Sequence, residues 1–472
     1  MMISLLGFRS LPSGRLPMNP IALGGVLVFG ASIFAQAPSP ADAADAAVQI
    51  AQVVNPDPSH PQRGTGGRLP GSGAPITTEP NPGADITGEK DSERLIDAFR
   101  PKGLRAGDFV MYPKIETGVV YNSNIFAQPT RAKGDFIASV QPELSLRSQF
   151  DTHMLNVTGS VQALKHTRFT TDDQINGQFS TEGRYDVLRN WNLSGRLGFS
   201  ADHEDRASPD ATQGKEPLRT NRLTGQIGTT YQQGDYLLSG FLESDRRTYG
   251  TVATNSGSLN NSDRDIWEQR ARIRAGYEFL PSYLVLGEVE GNRRVYDREV
   301  DRSGFKRGST GFRVSSGVGL EFTQVLRGDF LVGYMQQDYD DPRFRSPSGP
   351  SIKSSFTWTP GKLTVVIPAI ERSVYETTLL NASSRVRTAG TLLIRHELAR
   401  NILLTGFGGL YFDEYQGVNR NSTSYDLRFR ALYAFGPEVY VAGEIEYRSR
   451  NSQLTNNNYD QAIVGFRVGM QF

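Results

Sequence analysis

From about Phe109 to the last residue, apolar and polar residues trade places at every second position, segment after segment. Phe312, Val314, Ser316, Val318, Leu320 and Phe322 alternate with Arg313, Ser315, Gly317, Gly319 and Glu321. Ala271, Ile273, Ala275, Tyr277 and Phe279 alternate with Arg270, Arg272, Arg274, Gly276 and Glu278. The stretches Tyr425–Phe435 and Val439–Arg448 repeat the pattern. Successive side chains of a β-strand point to opposite faces, so this period demands sheets with one apolar and one charged surface. Counting such segments gives about 18 strands of roughly 9–15 residues, the length with which a tilted strand crosses a bilayer. Their centres fall near Thr117, Pro142, Gly159, Phe179, Leu197, Ile227, Leu242, Ile273, Val289, Gly317, Gly333, Ser355, Pro368, Leu393, Phe407, Phe429, Gly443 and Phe466. Proline cannot donate to a strand ladder, so Pro142 and Pro368 are expected at bulges or weakened pairings.

Two all-β classes fit this pattern, a soluble sheet protein and a transmembrane barrel. A hydrophobic fraction of 38% looks soluble, but only alternate residues of a barrel strand face lipid. No later run of 18 or more apolar residues exists, which argues against a helical membrane protein. The connections separate the classes. Short ones, such as Asp151-Thr152, Gln233-Gly234-Asp235, Leu280-Pro281-Ser282, Thr359–Lys362 and Phe435–Glu438, alternate with long polar ones. The long ones include Asn122–Gly134, Asp205–Thr220, Gly250–Asp263, Asp297–Ser309 and Arg448–Asn458. Short periplasmic turns and long external loops are the asymmetry of an outer-membrane barrel. Aromatics point the same way: Tyr277, Phe279, Tyr283, Phe322, Tyr433, Phe435 and Phe472 sit beside short turns, and Tyr249, Tyr296, Tyr339, Tyr411, Tyr425 and Tyr447 beside long loops. Two belts at the two water–lipid boundaries would produce this distribution. The expected fold is an all-β, antiparallel, up-and-down transmembrane barrel occupying residues 107–472, with both ends of the wall on the short-turn side.

Ahead of it, Arg9 and Arg15 precede the apolar run Ile21–Phe34, and Ala41-Asp42-Ala43 and Ala44-Asp45-Ala46 each offer a small-residue cleavage pattern. That order reads as a signal peptide over residues 1–46, and it predicts export to the outer membrane. Residues 47–106 read as a Pro/Gly-rich disordered periplasmic linker, with Pro56, Pro58, Pro61, Pro70 and Pro75 among many breakers; such a segment buries too little to offset its ordering entropy. Within it, Asp91–Phe99 has the spacing of one short helix. The Gly64–Gly67 run lacks the preceding strand and following helix of a phosphate loop.

The last segment places Val464, Phe466, Val468, Met470 and Phe472 at alternate positions. A terminal strand ending in Phe resembles the signal read by the barrel-assembly machinery, with Phe466, Val468, Met470 and Phe472 as its apolar positions; Met470 stands where an aromatic is more usual. The opening strand adds a second resemblance. Gly107–Phe126, with its Tyr112-Pro113, Glu116, Gly118 and Tyr121-Asn-Ser-Asn-Ile-Phe126, followed by Asp135-Phe136 and Pro142, resembles the start of the second putative β-barrel porin family of Gram-negative bacteria. The resemblance covers about Gly107 to Phe472. It implies an outer-membrane barrel, and through several members a place beside exopolysaccharide export systems, with such components as partners.

Chemistry is sparse. The chain has no cysteine, which removes disulfides, thiolate metal sites and cysteine nucleophiles. Its five histidines, His60, His153, His166, His203 and His396, stand at neither ligand nor triad spacing, so no enzyme, metal or cofactor is expected. A net charge of +1 gives no ground for nucleic-acid binding. The inward face is the informative set. Arg222, Arg270, Arg272, Arg274, Arg313, Arg428, Arg430 and Arg467 share it with Glu288, Glu290, Glu321, Glu444 and Glu446. These are candidate pore-lining charges, either cross-strand ion pairs or a rung of arginines attracting anionic groups. The expected function is a porin-like conduit, with exopolysaccharide export ahead of general diffusion; a plugged structural or adhesin-anchoring barrel is the alternative. A receptor with a folded plug would need a longer chain.

Overall fold

The computed structural model describes residues 101–255, 257–322, 325–361, 363–453 and 457–472, without the side chains of Glu321 and Phe322. The expected signal peptide, most of the expected linker and the expected helix Asp91–Phe99 lie outside them. The barrel wall is built of β2 (Phe109–Asn122), β3 (Asp135–Ser148), β4 (Met154–His166), β5 (Gln174–Leu188), β6 (Trp191–His203), β7 (Arg219–Gln233), β8 (Tyr236–Tyr249), β11 (Ile266–Leu280), β12 (Tyr283–Tyr296), β13 (Ser309–Phe322), β14 (Leu326–Tyr339), β15 (Ser348–Gly361), β16 (Thr364–Glu376), β17 (Ser384–Ala399), β18 (Ile402–Gln416), β19 (Asn421–Ala434), β20 (Val439–Ser452) and β21 (Tyr459–Gln471). A short strand β1 (Leu104–Ala106) folds back on β2, and β9 (Thr251–Thr254) and β10 (Gly257–Asn260) form a small hairpin inside one loop.

These 18 wall strands form one closed antiparallel barrel. Each pairs with its neighbours in sequence, and closure comes from β2 against β21, from Lys114↔Gln471 to Asn122↔Ile463. Closure satisfies every edge, which is what a bilayer requires of a sheet. Every expected strand centre falls inside a wall strand. Both prolines interrupt one ladder each: β3–β4 pairing skips from Val140 to Glu143, and β15–β16 pairing skips from Ala369 to Val366. On their other sides Pro142 pairs with Ile115 and Pro368 with Leu392. The ladder runs further than expected at β20, which reaches Ser452, so the last long loop is shorter than Arg448–Asn458.

The two faces sort by chemistry. Val119, Phe136, Ile273, Val289, Ile445 and Phe466 stand exposed on one face, where lipid would cover them. The other face is the interior, because its side chains meet across strands that are not neighbours. Arg274 on β11 reaches Asp329 on β14, and Arg430 on β19 reaches Glu116 on β2.

The wall is not evenly curved. A Cβ at Gly317 would lie 1.9 Å from the Phe330 carbonyl oxygen, and one at Gly333 would lie 2.0 Å from that of Val314. Only glycine allows β13 and β14 to approach this closely. Over the bend, Leu284, Leu286 and Leu331 form a buried apolar cluster inside the barrel. A second inner cluster joins Ile367, Tyr375, Ala389, Leu393, Phe407 and Tyr411.

The aromatic belts need a correction. Tyr277, Phe279, Tyr433, Phe435 and Phe472 do stand exposed beside the short turns, whereas the Phe322 side chain is outside the described set. On the long-loop side, only Tyr425 and Tyr447 of the six expected residues are outward and exposed. Tyr339 and Tyr411 are buried inside, Tyr296 donates to Glu376, and Tyr249 lies under the Arg264 guanidinium. Their register puts them on the inward parity of their strands. The outer belt is instead supplied by Tyr121, Phe136, Trp267, Phe312 and Phe412, all exposed.

Candidate pore lining and loop cap

The interior divides into a packed part and an open part. In the packed part every expected charge whose side chain is described faces inward and lies within ion pairs or beside an opposite charge. Arg274 pairs with Glu288 at 2.6 Å and Asp329 at 2.6 Å, and Lys353 also reaches Glu288 at 3.2 Å. Arg272 meets Glu243 on the preceding strand at 3.4 Å, and Arg270 meets Glu268 on its own strand at 2.8 Å. Glu290 stands in register between Arg272 and Arg313, and Arg313 donates to Ser373 across the bend. Arg222 pairs with Asp245. Further round, Arg428 contacts Asp426 and Glu446, Arg430 contacts Glu116, and Arg467 pairs with Glu444 at 2.8 Å and Glu116 at 3.5 Å. Arg272, Arg274 and Glu288 are 1–2% exposed. Charges so deeply buried persist only when paired, and these are paired. The Glu321 side chain is outside the described set.

The open part is the inner face of β4, β5 and β6. Asn156, Thr158, Ser160 and Gln162 on β4, Asn176, Gln178 and Ser180 on β5, and Ser194 and Ser200 on β6 all keep part of their surface exposed. Register brings them together: Gln162 faces Asn176, and Gln178 faces Ser200. Gln162 donates to Gln141 at 3.2 Å, continuing the amide row onto β3. The charged pair Arg196–Glu182 at 2.7 Å is partly exposed here, unlike those opposite. Small hydroxyl and amide side chains leave room, whereas the arginines and glutamates of the far wall fill it. Notice of this row was available in the sequence, since Ser, Thr, Asn and Gln occupy the inward parity of three successive strands.

The outer mouth carries a cap. The loop L3 (residues 204–218, between β6 and β7) crosses the lumen to the opposite wall instead of standing outward. Asp205 pairs with Arg448 on β20 at 3.0 Å, the Ala207 carbonyl accepts from Arg450, and Asp210 lies 3.5 Å from Arg385 on β17. Asp210 also accepts from Thr377 at 2.6 Å, in the loop L7 (residues 377–383). At its root, Glu204 pairs with Arg264 of the loop L4 (residues 250–265), and Arg206 pairs with Asp172 of the loop L2 (residues 167–173). Ala207 and Leu218 are 1% exposed. In the loop L5 (residues 297–308), Arg302 holds Asp263 of L4 at 2.5 Å, and Arg307 donates to the Thr377 and Ala382 carbonyls of L7. Burial alone would raise the Asp263 carboxyl, but the Arg302 hydrogen bonds outweigh it and hold the group below the usual carboxylate range. None of Asp205, Asp210, Arg385 or Arg450 stood out in the sequence, because the pairing runs between a loop and strands more than 150 residues away.

His166 contacts Asp173, and His203 contacts Asn176. Among the described residues, no three His, Cys, Asp or Glu side chains cluster as a metal site would need.

A family model described as putative beta-barrel porin 2 matches residues 97–472. No curated protein matches the chain. Solved structures that resemble it include the siderophore receptor PirA from Pseudomonas aeruginosa, 12% identical, covering 78% of this chain and 81% of that one at a TM-score of 0.38. OccK2 from Pseudomonas aeruginosa is 9% identical, covering 77% and 98% at 0.42. A bacterial polysaccharide outer membrane secretin is 11% identical, covering 76% and 98% at 0.31. All three scores are below 0.5, and none bears on what this chain carries.

Proposed function

Because the chain belongs to the putative beta-barrel porin 2 family of outer-membrane barrels, we propose that it is a conduit across the outer membrane whose cargo is an exopolysaccharide leaving the cell. One observation carries the cargo assignment: the partly exposed inner face of β4–β6 is a continuous field of Ser, Thr, Asn and Gln side chains. Each can exchange donor and acceptor roles with sugar hydroxyls. The net free energy of a neutral hydrogen bond is small, about 1 kcal/mol, so a chain can slide from one partner to the next without being trapped. A barrel of about 18 strands is wide enough to leave an aqueous channel unless loops fill it. In this reading residues 1–46 direct export and are cleaved, the barrel-assembly machinery reads the terminal strand, and polysaccharide-export components deliver the polymer from the periplasm.

The latched L3 favours a second reading, a barrel closed at its outer mouth that serves as a structural element. The test is purified protein reconstituted into vesicles loaded with a neutral maltodextrin, with L3 released by Asp205→Asn and Asp210→Asn. Sugar efflux from the released barrel supports the conduit. Efflux no faster than from protein-free vesicles, with the barrel folded, would favour the closed structural barrel.

A further inference from the structure

The wall on which L3 rests is richer in cations than the rest of the interior. Arg385, Arg387, Arg428 and Arg448 meet Asp413, Asp426 and Glu446 of the strands around them, and Arg420 and Arg450 are buried in the same wall. L3 supplies two more carboxylates, and both land on these arginines: Asp205 on Arg448 and Asp210 on Arg385. Beneath the loop runs a straight row across three ladders, Tyr411↔Ser424, Ser424↔Arg450 and Arg450↔Tyr459. The four side chains are each at least nine-tenths buried, yet Tyr411 Oη, Ser424 Oγ, Arg450 Nε and Tyr459 Oη make no hydrogen bond within the protein. Ser422 Oγ and Tyr415 Oη, one and two rows further out, are in the same condition. Buried polar groups are normally satisfied, and so many unsatisfied ones in a single row mark a surface made to meet something else. Tyr411, Tyr415 and Tyr459 also turn ring faces to Arg387, Arg420 and Arg450.

Resting on the conduit reading above, we infer that this row is a binding site for an acidic sugar polymer, and that L3 is a built-in substitute for it. The loop offers the arginines what a uronic-acid chain would offer: carboxylates spaced along a backbone and a carbonyl oxygen between them. The unpaired hydroxyls would take the sugar hydroxyls that a peptide loop lacks. An arriving polyuronate would therefore compete with Asp205 and Asp210, occupy the row and free L3. A neutral chain has nothing to exchange for the two ion pairs, so it would leave the cap shut.

The absence of cysteine makes the test direct. Gln213→Cys, on the exposed side of L3, carries a nitroxide in the otherwise unaltered barrel, and its mobility reports whether the loop is held. Oligogalacturonate should mobilise the label saturably, whereas maltohexaose at the same concentration should not. Tyr459→Phe with Ser424→Ala, which remove two unbonded hydroxyls and leave the L3 ion pairs in place, should weaken the oligogalacturonate response about tenfold, the effect of losing two hydrogen bonds. Asp205→Asn with Asp210→Asn should leave the label mobile before any sugar is added. A label that stays immobile through the oligogalacturonate titration of the wild-type loop overturns the inference, as does equal release by maltohexaose. Either result would leave the conduit itself intact if maltodextrin still escapes through the loop-released barrel. Absence of that escape is what would count against the conduit.

Discussion

Glu116 tests whether the packed part of the interior is as dry as the geometry implies. Its carboxylate is 1% exposed and accepts from Arg430 at 2.7 Å and Tyr440 at 2.7 Å, with Arg467 3.5 Å away. It ties β2 to β19, β20 and β21 across the seam where the barrel closes. At 2.7 Å and an effective dielectric constant near 20, the first pair alone is worth about 6 kcal/mol of gross attraction. Desolvation of both ions cancels much of that, so the pair itself is a weak stabiliser. Removing one partner is different, because it strands a buried guanidinium, at a cost of about 3–5 kcal/mol. Glu116→Gln keeps the volume and removes only the charge, leaving Arg430 and Arg467 to share Glu444 at 4.0 and 2.8 Å. Urea unfolding from lipid vesicles, followed by tryptophan fluorescence, should therefore show a loss in that range. Adding Arg430→Gln should recover part of it. The control is Glu182→Gln on the open side, whose partner Arg196 is 18% exposed; its loss should be about 1 kcal/mol or less. Equal small losses for Glu116 and Glu182 would mean that water reaches both, and the division of the interior would be refuted.

Gly317→Ala should destabilise by about 3 kcal/mol or more, the upper end for overpacking, because the new methyl meets the Phe330 carbonyl oxygen at 1.9 Å and backbone cannot rotate away; a refolded variant within about 0.5 kcal/mol of wild type would show that the wall bends less sharply. Deleting Phe472 removes one hydrogen bond in the folded barrel, to the Pro113 carbonyl, so refolding of purified protein should survive at about 1 kcal/mol of cost while outer-membrane levels in cells fall; normal levels would refute its part in assembly. The depressed Asp263 carboxyl contributes to L4–L5 docking above its unfolded value near 3.9, and the contribution is lost only as pH falls below that. Hydrogen-exchange protection of residues 297–308, taken relative to the intrinsic rate at each pH, should therefore be unchanged between pH 7 and 5 and lower at pH 3; protection lost already at pH 5 would be inconsistent with the Arg302 clamp.

Strand number, strand placement and closure were legible because period two is a local signal that every wall strand repeats. The two ladder interruptions were legible too, since proline's missing donor acts at its own position whatever the fold. Parity errors entered where residue type was read without register: Tyr296 and Tyr339 look like belt aromatics, yet counting in twos from Glu288 or Leu331 puts them inside. The division of the lumen was half legible. Hydroxyl and amide residues at inward positions of β4–β6 are visible in the sequence, but whether a side chain stays exposed depends on what crosses the lumen to meet it. For the same reason the arginines were found with only some of their partners: Glu288, Glu444 and Glu446 were visible as inward acids, whereas Glu243, which Arg272 meets, and Asp329, which Arg274 reaches across the lumen side, were not. L3 was hidden altogether, because a loop that folds inward and one that stands outward have the same polar composition.

The most direct test of the account is which face of β5 meets water. Ser180 lies on the inner face and is exposed, while its neighbour Phe179 lies on the outer face. In a chain without native cysteine, Ser180→Cys in lipid vesicles should react with a small membrane-impermeant maleimide, and Phe179→Cys should be protected until detergent strips the bilayer. Reaction at 179 with protection at 180 would reverse the faces and contradict the aqueous conduit.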